Sequence, residues 1–113
     1  MSIELFPDVI RALPKIEMPL EGVEAYLVQG PEQQMIFMSF KSDLEIPEHS
    51  HEAQWGVVLE GEIELTIEGK SKTLRKGDTY FIPKNVPHGA KIKAGYMDLT
   101  LFNQKDRYKK ADV

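Results

Sequence analysis

The chain predicts an all-β single domain, a sandwich or barrel, on three observations. After the first fifteen residues no segment sustains apolar residues at the helical spacing of three and four. Nine short runs rich in β-branched, aromatic and long apolar residues follow one another instead, separated by glycine, proline and charged pairs. Within one of them Ile63, Leu65 and Ile67 alternate with Glu62, Glu64, Thr66 and Glu68, the mark of an antiparallel strand with one buried and one wet face. Many short strands with no helices between them argue against a βαβ architecture.

Residues 1–15 read as a lead-in with one helical turn between Pro7 and Pro14, because proline suits a first turn and ends a helix. Strands are expected at 24–28, 34–40, 44–48, 56–59, 62–67, 72–74, 78–82, 89–92 and 97–102, inside a core barrel of about 22–103. Glu60-Gly61 joins two strands tightly, and Glu68-Gly69 forms the tip of the 63–74 hairpin. Residues 104–113 are charged and are expected to form a solvated tail that covers a barrel edge. Lys70, Lys72, Arg75 and Lys76 around the hairpin read as a solvated basic edge.

A chain of 113 residues accommodates one domain, and its 42% apolar and 28% charged residues are those of a globular protein. The net charge of −4 argues against a nucleic-acid partner, which requires a basic excess. With no cysteine there are no disulfides, zinc thiolates or thiol nucleophiles, which fits a reducing cytoplasm. Glu4 and Asp8 precede any basic residue, unlike a targeting signal. No stretch approaches the roughly 20 apolar residues of a spanning helix, so no membrane partner is expected.

The chemistry concentrates in the three histidines. On a strand, residues two apart share a face, so His49 and His51 can converge on one point. His88 follows the proline-bounded turn Pro83-Lys84-Asn85-Val86-Pro87, which aims it rigidly. Taken alone, the pair reads rather as an exposed strand feature and His88 as a core histidine, because isolated histidines are seldom ligands. Their surroundings are more specific. The run His49-x-His51-x2-Gln54-x6-Gly61 resembles the first motif of the cupin superfamily, with Gln54 where glutamate is usual. The run Gly77-x5-Pro83-x-Asn85-x2-His88 resembles the second, with Asn85 where glycine is usual. The resemblance implies a double-stranded β-helix, or jelly-roll barrel, holding one divalent metal ion (Zn, Ni, Fe, Mn, Co or Cu) on His49, His51, Gln54 and His88, and pairing into homodimers through sheet edges.

A neutral glutamine ligand leaves the ion its full charge, which favours Lewis-acid work on a carbonyl or carboxylate and disfavours oxidation of iron. The chain is also similar in size and motif layout to the pectin-degradation cupins. Those use an aspartate on a late strand and a C-terminal arginine, for which Asp98 and Arg107 are the candidates here. Asp98 or Tyr80 is expected to move protons, and Trp55, Phe37, Met35 and Phe102 to line the substrate pocket with Arg107. The expected function is a metal-dependent, non-redox isomerase or lyase acting on a small-molecule substrate such as a sugar acid or keto acid. The alternatives are an Fe(II) dioxygenase and a ligand-binding module without chemistry.

Overall fold

The computed structural model describes residues 6–18 and 20–111; residues 1–5 of the expected lead-in and 112–113 of the expected tail lie outside the described residues. One helical turn, α1 (Asp8–Arg11), precedes β1 (Val23–Gln29), β2 (Gln34–Phe40), β3 (Leu44–His49), β4 (Gln54–Glu60), β5 (Glu62–Ile67), β6 (Lys70–Arg75), β7 (Thr79–Ile82), β8 (His88–Ile92) and β9 (Met97–Phe102). Every expected strand forms, with ends displaced by at most two residues. Two strands, β4 and β6, start two residues early, and β6 is instructive. Lys70 and Ser71 have poor strand preference, yet they join β6 because the hairpin register sets them opposite Ile67 and Thr66.

The strands form two antiparallel sheets, a five-stranded one in the order β1-β2-β9-β4-β7 and a four-stranded one in the order β3-β8-β5-β6. The two sheets face each other as a jelly-roll barrel with one core. Ile36, Met38 and Phe40 from one sheet meet Ile63, Leu65 and Ile92 from the other. The Glu68-Gly69 tip carries φ of 50° and 78°, the pair of left-handed residues that suits a two-residue hairpin turn. Glu60-Gly61 behaves differently: it carries the chain from one sheet to the other, since β4 and β5 belong to different sheets.

The outer face of the five-stranded sheet is also apolar. Phe6 packs there edge-on against Tyr26 and Phe37, with Ile10, Leu13, Leu59 and Met97 around it. The lead-in is therefore a cover for half of that face. The uncovered half is a row of one residue from each strand, Val28, Met35, Leu101, Trp55 and Phe81, each opposite the next in register.

The tail keeps Lys105, Asp106, Lys109 and Lys110 exposed, but its backbone is pinned to the barrel. Lys110 bridges to Ile16, and Glu17 N–H donates to Lys109 O. The buried Gln34 side chain clips the tail as a backbone would: its Nε2 donates to Tyr108 O and its Oε1 accepts from Tyr108 N–H, both at 2.9 Å. Charge alone does not keep a segment in water when its backbone groups and one aromatic ring find partners.

Candidate metal centre

Three constraints assemble the histidines. The β3–β8 register shifts between Ile46 and His49, and this bulge re-aims the strand end so that His49 lies opposite His88. His51 lies beyond the end of β3, so the strand alternation expected to align it with His49 does not operate; Asn85 N–H holds it instead by donating to His51 O at 2.9 Å. Asn85 itself has φ of 63°, a conformation where glycine is the default and asparagine is tolerated. The substitution of asparagine for glycine in the second motif thus keeps the turn and its link to the first.

One ring nitrogen from each histidine lies within 4.8 Å of the others. Each Nδ1 faces a backbone carbonyl: Pro47 O at 2.9 Å for His49, Glu52 O at 2.7 Å for His51, and Val86 O at 2.8 Å for His88. A carbonyl only accepts, so each Nδ1 carries the proton and each Nε2 presents its lone pair. The Nε2 atoms of His51 and His88 stand 3.0 Å apart. Two facing lone pairs repel, and a cation shared between them removes the conflict. Burial lowers the His51 imidazole to about 4 despite its hydrogen bond to Glu52 O, and lowers His88 for the same reason. Both rings are then neutral at pH 7, the form that ligates a metal. The donor set fits a divalent ion.

Gln54 opens β4 beside this cluster and lines the same cavity. Thr100 Oγ1 donates its only proton to Trp55 O at 3.1 Å and so must accept from Gln54 Nε2, at 2.9 Å. That assigns the amide orientation and leaves Oε1 as the atom available to a ligand.

Behind Gln54 lies a buried acidic group. Tyr80 and Tyr96 both donate to Asp98 Oδ2, at 3.1 and 2.9 Å, while Oδ1 is buried without a partner. Burial pushes the Asp98 carboxyl up to about 7, and the two phenols pull the other way. Burial drives both phenols upward as well, so they stay protonated donors. Tyr80 is 3.5 Å from Gln54 Nε2, which connects the carboxyl to the histidine site through one side chain. Tyr80 crosses directly over Gly56, its register partner, and a Cβ at Gly56 would overlap the phenol ring. Gly56→Ala is expected to displace Tyr80 and cost about 1–3 kcal/mol of stability, measured by urea unfolding; an unchanged midpoint would show that the ring moves freely.

Arg107 lines the cavity with its guanidinium 5.7 Å from the Phe102 ring and 5.2 Å from the Tyr108 ring. Its Nε is buried without a partner, and no carboxylate among the described residues pairs with it. The Gln34 clip on Tyr108 fixes this position. Phe102 lies against the His51 ring at 5.4 Å.

Three expected pocket residues are elsewhere. Met35, Phe37 and Trp55 do not line the cavity; they occupy the strand positions next to Ile36, Met38 and Gln54, and pleating turns neighbours to opposite faces. Phe37 packs under the lead-in, and Trp55 is 41% exposed. Tyr96, Tyr108 and Gln34 belong to the site's support and were missed. Period-two spacing from Asp98 would have pointed to Tyr96; nothing local marks Gln34 or Tyr108.

A jelly-roll barrel whose interior brings three Nε2-presenting histidines together defines the class of small barrel proteins able to hold a metal ion. The cupin domain model matches residues 36–101, and the chain belongs to that family. Among solved structures it is similar to an RmlC-like cupin from Shewanella frigidimarina NCIMB 400 (TM-score 0.72, 28% identity, 83% of this chain and 86% of that one). It is similar in fold to KdgF from Halomonas sp. (0.71, 24%, 81% and 86%) and to oxalate decarboxylase from B. subtilis (0.70, 19%, 90% and 31%). No curated protein matches it. No helix of the described residues is long and apolar enough to cross a membrane.

Proposed function

We propose that this cupin is a metal-dependent, non-redox enzyme that enolises or isomerises a small oxygenated acid, of the sugar-acid or keto-acid kind. The observation that carries this reading is the contact chain Gln54–Tyr80–Asp98, which sets a buried carboxyl titrating near neutrality beside the histidine cluster. A divalent ion held by His49, His51, His88 and Gln54 would polarise a substrate carbonyl or carboxylate. Asp98 Oδ1, free of partners, takes a proton from the carbon next to that carbonyl. The electron pair of the broken C–H bond moves to the carbonyl oxygen, and return of the proton to carbon completes an exchange or isomerisation. Tyr80 and Tyr96 hold Oδ2 so that Oδ1 alone exchanges protons. Arg107 pairs with the substrate's carboxylate.

The test is hydrogen–deuterium exchange at the carbon next to the carbonyl of a keto acid, followed by NMR in D₂O. Metal-loaded protein should accelerate exchange, and both chelator-stripped protein and Asp98→Asn should not. Oxygen consumption by the iron-loaded protein with the same acids, without exchange, would replace this reading with a dioxygenase.

The uncovered row Val28–Met35–Leu101–Trp55–Phe81 supports a homodimer through this face, since Trp55 and Phe81 are 41% and 57% exposed side by side. Phe81→Asp is expected to convert the dimer to a monomer in light scattering at micromolar concentration without changing the far-UV spectrum; a wild-type monomer would refute the pairing.

A further inference from the structure

We infer that the acid this cavity takes carries an apolar body, as an α-keto acid with an aryl or branched alkyl group does, and is not a polyhydroxylated sugar acid; the inference rests on the metal-dependent reading and narrows its substrate. The cavity measures about 240 Å³. Apolar cavities of roughly 150 Å³ hold benzene, so this one admits a ring or branched chain with a short acid head.

Its polar groups form one connected cluster. The histidines, Gln54 and Arg107 adjoin Asp98 through Tyr80, whose hydroxyl lies 3.5 Å from Gln54 Nε2 and donates to Asp98 Oδ2. Along β9, Phe102 marks the histidine end, where it packs on His51. Asp98 lies four residues back on the same face. The polar residue between them, Thr100, has its hydroxyl engaged by Gln54 and Trp55. The rest of the lining is hydrocarbon from both sheets: Met38 and Ile82 from the five-stranded one, and Ile46, Leu65, Ala90 and Ile92 from the four-stranded one.

A sugar acid brings three or more hydroxyls besides its carboxylate, and each buried hydroxyl needs a partner. Here the groups without a protein hydrogen-bond partner number few: Arg107 for an anion, the ligand set, and Asp98 Oδ1. A ligand with its oxygens at one end and hydrocarbon along its length leaves no polar atom unpaired. The Arg107 cation, which no carboxylate among the described residues neutralises, favours an anionic head.

The test is calorimetric titration of pyruvate, phenylpyruvate and D-galacturonate into chelator-stripped protein and into protein reconstituted with Zn²⁺. Phenylpyruvate is expected to bind at least tenfold more tightly than pyruvate in both forms, and galacturonate no more tightly than pyruvate. Ala90→Phe and Met38→Phe, which narrow the wall from different sheets, should erase the phenylpyruvate advantage and spare pyruvate, each variant being checked for a cooperative thermal transition; if neither folds, the wild-type comparison decides. Galacturonate binding as tightly as phenylpyruvate, or phenylpyruvate gaining nothing over pyruvate, overturns the inference. Failure of the metal-dependent reading looks different: no Zn²⁺ uptake or no proton exchange, with the apolar preference intact in stripped protein.

Discussion

His88→Ala is expected to reduce bound metal from about one equivalent per chain to less than roughly a tenth, because it removes one of three convergent nitrogens from the most enclosed position. His88 is 4% exposed and sits opposite His49 in the sheet, with its Nδ1 held by Val86 O. No other side chain among the described residues forms a comparable cluster. Elemental analysis of untagged protein, with and without added metal, measures the loss. A second readout is stability: an ion bound at 1,000 times its dissociation constant adds about 4 kcal/mol to the wild-type protein and nothing to the variant. His49→Ala and His51→Ala should behave alike, with less structural cost because both rings are less buried than His88. If His88→Ala keeps a full equivalent, or the wild-type protein refuses metal after chelator treatment, the convergent Nε2 atoms serve another purpose.

Asp98→Asn is expected to stabilise the protein at alkaline pH while abolishing proton exchange. The Asp98 carboxyl, ordinarily at 3.8, is raised to about 7 in the folded chain by burial. The folded state therefore holds this proton more tightly than the unfolded state does. The resulting stability is fully present below pH 4 and is lost as pH rises through 7. The rise from 3.8 to about 7 corresponds to about 4 kcal/mol at most. Asparagine does not ionise and still accepts from Tyr80 and Tyr96 through its amide oxygen. The stability difference between variant and wild type should thus be small at pH 4.5 and grow in the variant's favour toward pH 8. Denaturant unfolding at five pH values measures it, and other titrating groups cancel in the difference. A difference independent of pH would mean that Asp98 stays ionised throughout, and with it the proton-transfer role would fall.

Both effects come from a site that was readable to different depths. The strand pattern declared the barrel, because alternation such as that of Ile63, Leu65 and Ile67 depends only on one face being buried. The three histidines and Gln54 were likewise visible, since they sit at the spacings of two short motifs around turns that proline and glycine set locally. Asp98, Tyr80, Phe102 and Arg107 could be named as candidates, but their roles depend on which strands adjoin, and β9 lies between β2 and β4 across long sequence separations.

Where the expectations failed, the cause was pleating or long-range pairing. Trp55 follows Gln54 in the chain, and for that reason faces the other way. Met35 and Phe37 flank inward-facing Ile36 and are turned to the opposite face. The charged tail is held by Gln34, seventy-four residues away, through backbone groups that carry no sequence signal. Composition and periodicity decide which faces are apolar and where the chain turns, because burial and turn strain act over a few residues. The tertiary structure alone decides which buried polar atoms find partners. Asp98 Oδ1 and Arg107 Nε find none among the described residues.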